Sequence, residues 1–242
     1  MGASPADIGA TAHVYLHRLD DAVRVDGEDG HHLTRARRLR AGEVVTGADG
    51  YGRWRVYDVA GVERGAVALR ATSDLAHEPA LAPRLMVACA LTKGEKPELV
   101  VQKLTELGVD GILLVVAARS VVRWDDDREQ RAVERLRRVA REAGAQSRRA
   151  RLPVLEGPLP VDELAGRAGL VVADRDGVTA GDLPEPPGGG WLVAVGPEGG
   201  FDEREQRVLA GAPRLALGAF VLRAETAAIA AAAALTWRRS RR

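Results

Sequence analysis

Four short apolar runs constrain this chain more than any other feature: Leu85–Ala90, Ile112–Val116, Leu170–Ala173 and Trp191–Val195. Each is continuously hydrophobic rather than alternating, and each is too short for a buried helix. Strands apolar on both faces need cover on both, which is the situation of a parallel sheet between helices. The intervening segments carry helical patterns. Pro97 opens one in which Leu99, Val100, Leu104 and Leu107 share a face, and Gly108 ends it. Residues 127–144 form a second, with Ala132, Val133, Leu136, Val139, Ala140 and Ala143 inward. Asp202 and Glu205 make a D-x-x-E cap for a helix reaching about Ala210. Arg214–Leu217 reads as a last strand and Glu225–Trp237 as an alanine-rich final helix. The alternation predicts an α/β domain on a mostly parallel sheet.

The first seventy-odd residues read differently. Val14–Leu16, Glu43–Thr46, Arg53–Val59 and Ala66–Ala71 are strand-like, separated by turn formers such as Asp49-Gly50 and Ala60-Gly61. Trp54 and Val56 point one way while Arg53, Arg55 and Tyr57 point the other. Such an array suggests a small β-barrel, interrupted by a short helix in 31–40 with Leu33 and Leu39 inward and its arginines outward. The proline-bearing stretch 75–83 reads as a linker, which gives domains over 1–74 and 84–242.

Composition decides what kind of partner is possible. The 242 residues carry a formal net charge of +1, which argues against indiscriminate nucleic-acid coating. The average conceals three basic segments: six arginines against two acids in 31–55, nine against three in 128–151, and four in the tail after Trp237. Arginine binds phosphate bidentately and stacks on bases, so such clusters suit RNA, although a solvated helix face with Glu–Arg pairs fits 128–151 as well. One cysteine, Cys89, excludes an intramolecular disulfide and a cysteine-based zinc site; it falls in an apolar run and reads as core. His31 and His32 have no carboxylate or cysteine at ligand spacing, so no metal is expected. The N-terminus lacks a signal-peptide core and Ala227–Leu235 is too short to span a bilayer, so a soluble, cytoplasmic chain is expected.

Ligands of a parallel sheet sit beyond the carboxyl ends of its strands, and three segments fall there. Gly196-Pro197-Glu198-Gly199-Gly200-Phe201 follows one strand; its glycines let a ligand approach the backbone, although a plain tight turn is the alternative. It is not a G-x-G-x-x-G fingerprint. Leu217–Ala227 joins the last strand to the last helix; Gly218 permits close approach, Leu222 can line a slot for an adenine-sized ring, and Glu225 and Thr226 lie where helix caps belong. Lys93-Gly94-Glu95-Lys96 leads into a helix on which Gln102, Thr105 and Glu106 lie together, opposite much of the apolar face.

The wording and order of KGEKPELVVQKLTELGV, REAGAQSRR, GPEGGF and LGAFVLRAETA, with HHLTRARRLRAGEVV and DGYGRWRVYDV before them, resemble the RsmE family. These are the 16S ribosomal RNA uridine-N3 methyltransferases of the SPOUT superfamily, and the resemblance covers about 12–237. It implies an N-terminal PUA-like barrel, a C-terminal α/β SPOUT domain with a trefoil knot, and a homodimer. It also implies S-adenosylmethionine as cofactor and a uridine in the decoding region of the small ribosomal subunit as substrate. On this reading Gly196, Pro197, Glu198, Gly199, Gly200, Leu217, Gly218, Leu222 and Thr226 hold the cofactor. Arg223 stabilises the developing uridine anion, and Glu198 or Glu225 accepts the N3 proton. Arg35, Arg37, Arg38, Arg40, Arg148 and Arg149 contact RNA. Gly144-Ala145 stands where the family has Ala-Glu, Ala219-Phe220 where it commonly has Pro-Arg, and Ala224 where it commonly has Thr. A SPOUT enzyme for another RNA site and a non-catalytic RNA-binding assembly protein are the other readings.

Overall fold

The computed structural model describes residues 4–92, 96–120 and 126–241; Lys93, Gly94, Glu95 and Arg242, singled out above, lie outside them. The chain forms two compact units, one of residues 1–80 with 141–152, the other of 81–140 with 153–242.

The first unit is built on β1 (Ala12–Tyr15), β2 (Ala22–Val25), α1 (Gly27–His31), β3 (Val44–Ala48), β4 (Arg53–Glu63), β5 (Ala66–Ala71) and β6 (Ala76–His77). Its sheet runs β1-β3-β4-β5-β2, with β6 on β4; β1 and β3 are parallel and the other pairs antiparallel. A turn of π-helix, His32–Ala36, continues α1. It buries Leu33, and Leu39 follows it into the core beside Val45, Tyr57 and Val67, while Arg35, Arg37, Arg38 and Arg40 stay exposed. Tyr57 and Trp54 lie on opposite faces of β4, as alternation requires, yet both are buried. The second face is covered because Ala150, Ala145 and Leu152 pack with Tyr15, Ala48 and Trp54. Strand β2 escaped the sequence reading because it is a short edge strand with largely exposed residues.

The second unit holds β7 (Arg84–Ala90), α2 (Lys96–Glu106), β8 (Gly111–Val116), α3 (Asp126–Gln146, its last six residues belonging to the first unit), β9 (Val154–Pro160), β10 (Leu170–Val178), β11 (Gly190–Val195), α4 (Glu203–Val208), β12 (Arg214–Leu215) and α5 (Ala224–Ser240). Its sheet is wholly parallel, in the order β12-β10-β11-β7-β8-β9. The four apolar runs are its four central strands. Leu85, Val87, Cys89 and Val193 face a core shared with α2 and α5, while Ala88, Leu113, Leu192 and Ala194 face one closed by Phe201 and Leu209. The edge strand β9 was not foreseen, because Pro158 and Pro160 depress the strand signal that an edge position tolerates. Two side chains on α2 differ from expectation. Leu99 is exposed, since the buried stripe runs through Val100, Val101 and Leu104. Thr105 is fully buried, its hydroxyl donating to the Val101 carbonyl at 2.7 Å, which removes the cost of placing it in the core.

Candidate functional site

The carboxyl ends of β10, β11 and β12 surround a cavity of about 410 Å³, within the range usual for small-molecule sites. One wall is the loop after β11. Gly200 adopts φ +68°, a left-handed conformation open to glycine, and its N–H donates to the Pro197 carbonyl at 2.8 Å. Phe201 is buried against Gly196, whose missing Cβ would stand 3.2 Å from the ring. Asp202 and Glu205 form the foreseen capping box on α4. The buried Glu205 also accepts the Ala118 N–H at 2.7 Å, and Arg119 donates to the Gly199 carbonyl at 2.7 Å, so the segment after β8 fixes the loop.

The opposite wall is 217–222, where Gly218 has φ +150° and nothing within 4 Å of a Cβ placed on it. Asp174 and Arg175, in the outer part of β10, complete the lining, with Asp174 paired to Arg214 at 3.1 Å. Of the residues expected to hold a cofactor, Gly196, Pro197, Glu198, Gly200, Leu217, Gly218 and Leu222 line this cavity. Gly199 and Thr226 do not: the former turns its carbonyl to Arg119, and the latter is exposed on the first turn of α5. The helix cap is Arg223 rather than Glu225 or Thr226, because α5 begins at Ala224.

Glu198 and Glu225 are brought together by Lys96, the last residue of the third segment expected beyond the strand ends. Lys96 Nζ lies 2.7 Å from Glu198 Oε1 and 3.3 Å from Glu225 Oε2. The Lys96 ammonium is the main reason the Glu198 carboxyl lies below the usual carboxylate range; Arg223, itself exposed, contributes a smaller pull. The two carboxylates in turn raise Lys96. The site therefore offers two carboxylates sharing one cation, an exposed guanidinium and a partly apolar slot walled by backbone. Asp174 and Arg175 could have been suspected only from the rule that ligands gather at strand ends, since no local motif marks them.

The arginines expected on RNA divide. Arg35, Arg37, Arg38 and Arg40 are exposed. Arg148 donates to the carbonyls of Ile8 and Ala10, both at 2.6 Å, a structural duty inside the first unit. Arg149 is half-buried, and its carbonyl accepts from Tyr15 Oη at 2.7 Å and lies 3.0 Å from His13 Nε2. Cys89 is core as expected, its thiol pushed up to about 12 by burial. Among the described residues there is no cluster of three or more metal-ligating side chains, and no helix is long and apolar enough to cross a membrane.

A parallel sheet with a glycine-walled cavity at its carboxyl edge defines an α/β ligand-binding protein, and residues 79–236 match the RNA methyltransferase domain family. The chain is 37% identical over 235 residues to ribosomal RNA small subunit methyltransferase E of Mycobacterium bovis, covering 91% of this chain and 89% of that one. It is 29% identical to the Bacillus subtilis protein of the same name, covering 88% and 89%. Among solved structures, ribosomal RNA small subunit methyltransferase E of Neisseria gonorrhoeae bound to S-adenosyl methionine superimposes with a TM-score of 0.82 at 26% identity, over 93% of this chain and 96% of that one. A Legionella pneumophila protein with bound cofactor SAM gives 0.84 at 28% identity, over 96% and 98%. The chain belongs to the ribosomal RNA small subunit methyltransferase E family.

Proposed function

We propose that this protein transfers a methyl group from S-adenosylmethionine to N3 of a uridine in the decoding region of 16S ribosomal RNA. The observation that carries the reading is the cavity at the strand ends, in a chain of this family. Its residues fit the cofactor: Gly218 leaves open space where any other residue would put a Cβ, and Leu217, Leu222 and Val195 supply apolar surface for a purine. Gly196, Pro197 and Gly200 would bring backbone against it. When bound, S-adenosylmethionine supplies an electrophilic methyl group on a positively charged sulfur.

The chain's own residues do the rest. Uridine N3 is protonated at neutral pH, so its proton must leave before or during attack. Glu198, ionised and lining the cavity, is the proposed acceptor, and Lys96 holds it in place through the 2.7 Å contact. Arg223 stabilises the negative charge that develops on the base. Exposed Arg35, Arg37, Arg38 and Arg40 bind phosphates. We read residues 1–74 as a PUA-like RNA-binding barrel and 84–242 as a SPOUT domain with a trefoil knot, working as a cytoplasmic homodimer.

Mass spectrometry of 16S RNA from cells lacking the gene tests the reading. The N3-methyluridine mark is expected to vanish and to return on complementation; its persistence would overturn the assignment. Calorimetry with S-adenosylmethionine separates the enzyme from a non-catalytic RNA-binding protein, which would not bind the cofactor.

A further inference from the structure

We propose that Phe220 is the platform on which the target base stacks once it has left the RNA. The inference rests on the function proposed above and goes beyond it by naming the side chain that receives the substrate. The chain has only two phenylalanines, and both line the cavity. They are used in opposite ways. Phe201 is 8% exposed, with its ring against Gly196, whereas Phe220 is 85% exposed and packs no core. Val221 beside it is equally exposed.

A single exposed apolar residue needs no explanation. Two consecutive ones at the rim of a cavity proposed to hold a reactive cofactor do, because burial elsewhere would have stabilised the fold. An enzyme acting on a base must extract it from its stack and replace the lost contact, usually with a flat side chain. Phe220 offers such a face within the cavity wall. Arg223, three residues on and exposed, places positive charge beside it, as an RNA backbone or an ionising base requires. The other candidate occupant is a second copy of this chain, whose contact would bury the same ring.

The full-length protein carrying F220A, F220L, F220W or F220Y decides between them. Methyl transfer is measured on unmethylated small subunits from cells lacking the gene, cofactor affinity by calorimetry, and oligomeric state by sedimentation. With F220A, kcat/KM for the subunits is expected to fall about 5- to 150-fold, the loss of one base–aromatic stack. Sedimentation stays unchanged, F220W and F220Y retain activity, and F220L does not; a loss of cofactor affinity equal to the loss of activity would assign the ring to the cofactor and overturn the proposal. Activity of F220A within about twofold of the parent, or full activity of F220L, overturns the proposal. So does a shift in sedimentation with F220A, which assigns the ring to a contact between copies. A second readout does not depend on turnover. In subunits reconstituted on 16S RNA transcribed with 5-iodouridine, irradiation is expected to cross-link the RNA to Phe220. A parent protein that binds no S-adenosylmethionine would defeat the function proposed above, while the presence or absence of that cross-link would still decide the role of Phe220.

Discussion

Between His31 and Arg40 the guanidinium groups of Arg35, Arg37, Arg38 and Arg40 face solvent, held out by Leu33 and Leu39 beneath them. Between Arg141 and Arg151, in the same compact unit, arginines turn inward. Arg141 donates to the Tyr15 carbonyl at 2.7 Å and to Asp29 at 2.8 Å, with its guanidinium 5.3 Å from the Tyr15 ring centre. Arg148 joins the Ile8 and Ala10 carbonyls, and Arg151 Nε donates to the Glu78 carbonyl at 2.9 Å. Arginine density is thus no measure of polyanion binding. The planar fork that suits phosphate suits backbone carbonyls outside the strand ladders equally well.

The sharpest way to break this contrast is Arg148→Ala. It removes two hydrogen bonds from a charged donor, each worth about 1.5–3 kcal/mol; because the Ile8 carbonyl still accepts the Ala10 N–H, stability should fall by about 3–4 kcal/mol, the lower part of that range. Urea denaturation followed by circular dichroism measures this; a loss below about 1 kcal/mol would mean that Arg148 is as dispensable to the fold as a surface arginine.

A somewhat smaller effect concerns the same seam. His13 is buried, 2.8 Å from Thr46 Oγ1 and 3.0 Å from the Arg149 carbonyl oxygen, and its pKa is lowered to about 4, chiefly by burial. The unfolded chain, with a histidine near 6.5, therefore binds more protons between these values. Its contribution is fully present above pH 6.5 and is lost as pH falls through 4, on the order of 3 kcal/mol in all. Denaturation at a series of pH values should show this slope in the parent and a flatter one in His13→Gln. Identical slopes would remove His13 from the account.

The smallest effect on stability, and the most telling, belongs to the outward segment. Arg37→Gln with Arg38→Gln should change stability by less than about 0.5 kcal/mol. RNA affinity should drop, with the slope of log affinity against log salt shallower by about 2. An unchanged slope would leave the exposed arginines without their proposed partner.

The same division marks what could be read in advance. The central strands β10, β11, β7 and β8 were legible because burial on both faces imposes an unbroken apolar run, whereas the edge strands β2 and β9 carry mixed patterns. The capping box of Asp202 and Glu205 was legible because it is local. Its second task, accepting the Ala118 N–H, joins residues 87 apart and left no sequence signal. Likewise the glycine loops announced the cavity, but the Lys96 contact that joins Glu198 and Glu225 did not.

By itself, then, the sequence determined the central strands and the helices of the parallel sheet, the glycines that keep its carboxyl edge open, and a wording that marks the family. These depend on neighbours a few residues away, which periodicity and turn chemistry record. Only the tertiary structure decided which arginines face outward, which carboxylates share a cation, and which of two phenylalanines is buried. Such choices turn on which polar groups and apolar surfaces are left unsatisfied once distant segments meet, and no local pattern encodes that meeting.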